Sequence, residues 1–221
     1  MVELISIHIA KTGGRSFYEV LRNEYGQKLD NRTRRFEYFP GKDYSNKLIN
    51  RIPDHVSVIH GHLFYAHVKE IHQKHQARII TWLRDPVDRV ISNYFYLMRA
   101  IREAPGTHLQ KNHTLLEYAR HSIQNKMSKY LEGISLKELF FIGFQENYDE
   151  GLQELATLLS WKKPVLKIRV NKGPENLDDK DYPTRRKDIT PAMKEEIASL
   201  NKEDMILYEE ALKLKKSGLG T

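Results

Sequence analysis

The sequence predicts an α/β domain with a central, mainly parallel sheet flanked by helices. Three observations carry that expectation. Apolar runs of strand length, Leu4 to Ala10, Ile79 to Leu83 and Glu138 to Gly143, alternate with stretches of helical periodicity. Each of the first two runs ends at a turn or cap signal and passes directly into a helix. The 221 residues are enough to bury one sizeable core, and 1–221 reads as a single domain.

The first run carries the most chemistry. Leu4 to Ala10 stops at Lys11-Thr12-Gly13-Gly14-Arg15-Ser16, and a helix is expected from Ser16. A strand, a tight turn and a helix N-terminus bring backbone N–H groups and the positive end of a helix dipole into one small space. Glycine lets a ligand approach closely there. Such a space suits an anion, with Lys11 and Arg15 adding charge and Thr12 and Ser16 adding hydroxyls. The spacing differs from the Walker pattern, in which the glycines precede the lysine, so an ordinary P-loop kinase is disfavoured.

The second run ends in Leu83-Arg84-Asp85-Pro86-Val87-Asp88-Arg89-Val90-Ile91-Ser92. Asp85 is placed to cap a helix and Pro86 to open it. Arg84 then lies at a strand's carboxyl end and Ser92 about two turns into the helix. Carboxyl ends of parallel strands line the ligand crevice, so Lys11 and Arg84 are expected to face one ligand with two anionic ends.

The pair K-T-G-G-x-S and R-D-P-V-x-R-x-x-S resembles the sulfotransferases that use 3′-phosphoadenosine 5′-phosphosulfate (PAPS), most of all the carbohydrate branch that includes heparan sulfate 2-O- and 6-O-sulfotransferases. The resemblance implies a P-loop-NTPase-like three-layer fold and PAPS as co-substrate, with no metal required. It implies a 5′-phosphosulfate loop made of Lys11, Thr12, Gly13, Gly14, Arg15 and Ser16, and a 3′-phosphate clamp made of Arg84 and Ser92. This chain has Ala10 where the family more often has proline, and Arg15 where it more often has Thr or Ser.

Between these motifs, residues 28–55 read as a long polar, basic and aromatic loop, either an acceptor-binding segment or a variable surface excursion. Val56 to Tyr65 gives the next strand and its exit, including His60-Gly61-His62. Transfer to an alcohol needs a base, and imidazole suits that task near neutral pH. The H-G-H step also resembles the segment of the 2-O-sulfotransferase branch that supplies the base. His62 is the choice, with His60 on the same side of the strand as runner-up. His72 and His75 are three apart on an expected helix, but no acidic partner completes a metal pattern, and surface or cap roles are the better account.

Pro86 to Arg102 reads as a long helix whose Val87, Val90, Ile91, Tyr94, Phe95, Met98 stripe faces a core. Arg89 is expected to support the fold. Helices follow at 114–121 and 122–131, then a strand at 138–143, a helix at 148–159 and a last strand at 165–170. By the resemblance, Asn125 and Lys126 lie near the cofactor, and Asn171-Lys172-Gly173 opens a loop over the nucleotide, with Lys172 added to the 3′-phosphate site. Thr190-Pro191 begins a helix and Asn201 is placed to cap another.

Composition bounds the rest. There is no cysteine, hence no disulfide, thiol nucleophile or Cys-ligated zinc; a cytoplasmic enzyme is expected. No run of eighteen apolar residues encodes a membrane span. The formal charge of +7, from 36 basic and 29 acidic residues, fits an anionic ligand. The basic residues are dispersed, and no nucleic-acid-binding motif stands out.

The resulting expectation is sulfuryl transfer from PAPS to an acceptor hydroxyl, by resemblance that of a carbohydrate, with His62 as base and Lys11 neutralising the leaving phosphate. Two rivals stay open: an ATP-dependent small-molecule kinase, and a non-catalytic module that binds a nucleotide or sulfated glycan.

Overall fold

The computed structural model describes residues 1–30, 52–103, 113–122, 124–166, 180 and 182–218. Five parallel strands form one sheet: β1 (Leu4–Ile7), β2 (Leu29–Asp30), β3 (Val58–Gly61), β4 (Arg78–Leu83) and β5 (Phe141–Phe144). Their order is β2-β3-β1-β4-β5, with Ile5 opposite Ile59 on one side and Ile79 on the other. Parallel strands have both faces covered, and these are buried almost throughout.

Helices supply the covering layers: α1 (Gly14–Tyr25), α2 (Tyr65–His75), α3 (Pro86–Glu103), α4 (Leu115–His121), α5 (Lys126–Tyr130), α6 (Tyr148–Leu158), α7 (Pro191–Leu200) and α8 (Lys202–Lys216). One core lies between the sheet and α2, α5 and α8, with Ile5, Ile7, Ile59, Val68, Met127 and Ala211 at its centre. A second lies on the opposite face, where Phe17 and Leu21 of α1 and Leu152 and Leu155 of α6 meet Leu4, Val58, Ile80 and Trp82. The strand residues alternate between the two cores, as the period of two requires. A third cluster joins α3 to α4 and α7 and contains Val90, Ile91, Tyr94, Phe95 and Met98, the stripe expected to face a core.

Several boundaries differ from expectation. β1 ends at Ile7 rather than Ala10, because the chain turns away once His8 has donated its N–H to the Gly61 carbonyl. The two-residue edge strand β2 lies inside the stretch read as loop, and residues 31–51 of that stretch lie outside the described residues. The strand expected from 138 begins only at Phe141, since Leu136–Glu138 form a 3₁₀ turn capped by Ser135. The helix expected over 122–131 is the shorter α5. Val165 and Leu166 pack on the second core without joining the sheet, and residues 167–170 lie outside the described set.

The connections set the position of a crevice. The chain leaves β1 toward β2 on one side of the sheet and leaves β4 toward β5 on the other, while β1 and β4 are neighbours. Opposite crossovers from adjacent strands open a cleft at their carboxyl ends.

Candidate active site

The loop after β1 folds tightly. Lys11 takes a left-handed backbone (φ 75°), as does Gly13 (φ 91°) just before α1 opens at Gly14. A left-handed lysine is uncommon, and the conformation turns the chain back over the end of β1. Thr12 is fully buried and donates its hydroxyl to the Ile9 carbonyl (2.8 Å). The hydroxyl closes the turn from inside. The first-turn N–H groups of α1 point out of the helix end, toward the crevice.

The glycines fit tightly. A Cβ on Gly13 would lie 2.3 Å from Gln145 Oε1, and one on Gly14 would lie 2.0 Å from the His8 ring. Gln145 follows β5 and Tyr148 opens α6, so the far side of the crevice braces the loop.

Lys11 and Arg84 come together at the neighbouring strand ends. Arg84 Nη1 donates to the Lys11 carbonyl oxygen at 3.3 Å. Lys11 Nζ lies 4.2 Å from the centre of the Tyr96 ring, a cation-π contact, and Arg99 reaches within 5.9 Å of the same ring. Burial, then the charges of Arg99, Arg84 and Arg15, lower the Lys11 ammonium from 10.5 to about 8. Four cations thus influence one point, an arrangement that an anion would relieve.

The α3 helix starts as expected, with Asp88 N–H donating to Asp85 Oδ1 at 2.9 Å. The Asp85 N–H donates to Glu146 Oε1 (2.8 Å), which ties the exit of β4 to the residues after β5. Ser92, Tyr96 and Arg99 are spaced four and three apart, so they share one face of α3, and the Tyr96 contact turns that face toward Lys11. Ser92 is half-buried and Arg15 exposed. Tyr96 and Arg99 escaped the sequence reading; their helical spacing from Ser92 was the available signal.

Histidines occupy the other flank. His60 is 2% exposed, lies 2.8 Å from Ser6 Oγ through Nδ1, and packs against the Phe17 and Tyr18 rings. His62 is half-buried, with Nδ1 2.9 Å from the His8 carbonyl oxygen. His62 is thus the more accessible of the two. The other helical histidines are engaged locally: His72 Nδ1 lies 3.0 Å from Tyr65 Oη, and His75 Nδ1 accepts the Val2 N–H at 2.9 Å.

Behind Arg84, Arg89 and Asp204 form a buried pair, 3.9 Å apart and 2% and 0% exposed. Asp204 also accepts the Met127 and Ser128 N–H groups, fixing the start of α5. Asn125 sits in a left-handed backbone and accepts the Glu203 and Asp204 N–H groups, while its own N–H donates to Asn201 Oδ1. Asn125 therefore does the capping expected of Asn201, whose Nδ2 instead donates back to the Ile197 carbonyl. Lys126 is lowered to about 8 by burial and the Arg89 charge. Lys172 lies outside the described residues.

Among the described residues no group of three or more His, Cys, Asp or Glu side chains is arranged to hold a metal ion, and no helix is long and apolar enough to cross a membrane. No family model and no curated protein matches the sequence. In three dimensions the chain is similar to mouse sulfotransferase SULT7A1 solved with PAP, at a TM-score of 0.60 and 16% identity, covering 100% of this chain and 89% of that one. A sulfotransferase from Alicyclobacillus acidocaldarius matches at a TM-score of 0.47 and 16% identity, covering 92% and 93%. The first likeness defines the class of fold: a P-loop-like α/β domain with the architecture of a sulfotransferase.

Proposed function

We propose that this protein is a sulfotransferase that moves the sulfuryl group of PAPS to an acceptor hydroxyl. The observation that carries the proposal is the meeting of Lys11 and Arg84 at adjacent strand ends, in a crevice that Arg99 and Arg15 make still more positive. A nucleotide with a 5′-phosphosulfate and a 3′-phosphate has two anionic ends to place there. In this reading the loop 11–16 holds the first end, Arg84 and Ser92 the second, and Lys172 adds to the second. PAP, the ligand in the SULT7A1 structure, is the product this reaction would leave.

His62 accepts the hydroxyl proton as the acceptor oxygen attacks sulfur. The bond from sulfur to the bridging phosphate oxygen breaks in line with the attack. Lys11 and the loop N–H groups neutralise the charge that grows on the departing phosphate. The chemistry is positioning and electrostatics around a group that is already activated, with no metal-dependent step. The carbohydrate acceptor of the proposal rests on the motif resemblance to the heparan sulfate branch.

Titration calorimetry with adenosine 3′,5′-bisphosphate and with ATP separates this reading from a kinase. Tight binding of the bisphosphate with weak, magnesium-independent ATP binding is expected; preference for magnesium-ATP overturns it. Incubation with sulfur-labelled PAPS and a panel of oligosaccharides, phenols and lipids then separates an enzyme from a binding module. A labelled product is expected, and binding without transfer to any acceptor would leave the module.

A further inference from the structure

The strands β1 and β3 run parallel with Ser6 opposite His60 and Ile7 opposite Gly61. Strand alternation makes His8 and His62 the next residues on the face of Ser6 and His60. Both pairs interact: His60 Nδ1 lies 2.8 Å from Ser6 Oγ, and His62 Nδ1 lies 2.9 Å from the carbonyl oxygen of His8. The second contact has only one chemical sense. A carbonyl oxygen accepts and never donates, so Nδ1 of His62 must carry a proton, and the neutral ring has its lone pair on Nε2.

The His8 side chain acts on the same ring. It stacks on His62 with centroids 4.1 Å apart and planes 24° apart, and on His60 at 5.3 Å and 14°. It also lies against the start of α1, where a Cβ on Gly14 would come within 2.0 Å of its ring atoms. His8 therefore spans the space between His62 and the glycine turn, touching one through its ring face and the other through the absence of a side chain.

We propose that His8 is the positioning residue for His62, its carbonyl fixing the Nδ1–H tautomer and its ring fixing the imidazole plane against the glycine turn. This rests on the reading of His62 as the base. In that role Nε2 is the nitrogen that takes the hydroxyl proton, and a turn that shifts on binding an anion at Gly14 would carry His8 and the His62 plane with it. A purely space-filling residue at position 8 would keep the carbonyl contact but would not hold the His62 plane through a stacked ring.

Long-range ¹⁵N–¹H correlation spectra of the full chain labelled at histidine, at a pH where the rings are neutral, test the proposal without any acceptor. The wild-type protein is expected to show His62 as the Nδ1–H tautomer in excess of at least about fivefold, the order that one intramolecular hydrogen bond sustains. His8→Ala keeps the carbonyl and removes the stacked ring, so the Nδ1–H tautomer is expected to persist while the His62 ring gains motion, read from its ring relaxation; His8→Phe, which retains a flat ring in the stack, restores the rigid ring. An Nε2–H tautomer in the wild type overturns the proposal, even if the variants do not fold. So does a His8→Ala protein whose His62 ring is as rigid as in the wild type, or a His8→Phe protein no different from His8→Ala. Retained sulfuryl transfer in His62→Ala would remove the base assignment alone, leaving the tautomer measurement to stand or fall by itself.

Discussion

Arg84 and Lys11 are joined by a hydrogen bond from the guanidinium to the lysine carbonyl at 3.3 Å, although 73 residues separate them in the chain. The bond exists because β1 and β4 are adjacent and parallel, so their exits lie side by side. It also uses one arm of Arg84 to hold the loop in its left-handed turn at Lys11. The two motifs are therefore mechanically linked before any ligand arrives. Repulsion among the neighbouring cations is a cost that an anion placed between them would relieve.

Burial, together with that repulsion, has a measurable consequence for Lys11. Its ammonium loses its proton near pH 8 in the folded protein and near 10.5 in the unfolded chain. Between those values the unfolded chain holds more protons, so this group's contribution to stability rises with pH and is lost as pH falls back through about 8. A bound anion restores the proton. Nucleotide binding at pH 8 to 9 should therefore take up protons, seen as a heat that depends on the buffer's ionisation enthalpy. Lys11→Met should remove that dependence, and a wild-type heat identical in all buffers would contradict the account.

Gly14→Ala should destabilise the protein through His8. The new methyl would meet the whole imidazole rather than a flexible tip. Overpacking of this kind costs about 1–3 kcal/mol. Urea unfolding should show that loss in the single variant and much less of it when His8→Ala is added, since the clash is then gone. Equal losses in both backgrounds would mean the ring is not the obstacle.

Loss of His62 should affect chemistry and leave binding alone. Removing a general base lowers turnover by about 10²–10⁴-fold. His62→Ala should show that fall in kcat with adenosine 3′,5′-bisphosphate affinity unchanged, and His60→Ala should fail chiefly through the core it fills. Wild-type kcat in His62→Ala would exclude it as base.

Asp204→Ala tests the support beneath Arg84. The variant would strand the buried Arg89 charge and two N–H groups of α5. Breaking such a pair costs about 3–5 kcal/mol. Chemical denaturation should register that cost, and a loss below about 1 kcal/mol, the scale of an exposed pair, would place Arg89 outside the protein's structural framework.

The sequence was informative where physical signals are local. The apolar run, Gly-Gly corner and Asp85-Pro86 helix start all appear in place because cap and turn preferences depend on a few neighbouring residues. The stripe on α3 was likewise legible from its period alone. What escaped depends on distant chain segments: β2 is too short to show a pattern, and Asn125 displaces Asn201 as a cap across 78 residues. The inward turn of the Thr12 hydroxyl was not legible, because nothing in the local sequence tells an inward hydroxyl from an outward one. Arg99 and His8 gain meaning only once α3 is laid beside β1 and β3 beside β1.

The most direct measurement is the affinity of wild-type and Arg84→Ala proteins for adenosine 3′,5′-bisphosphate and for adenosine 5′-phosphate, which lacks the 3′-phosphate. Charge-assisted hydrogen bonds contribute about 1.5–3 kcal/mol, so Arg84→Ala should weaken the bisphosphate by about 10- to 100-fold and leave the monophosphate within about twofold. Equal weakening of both nucleotides, or of neither, would mean that Arg84 does not hold the second anionic end and would contradict the account.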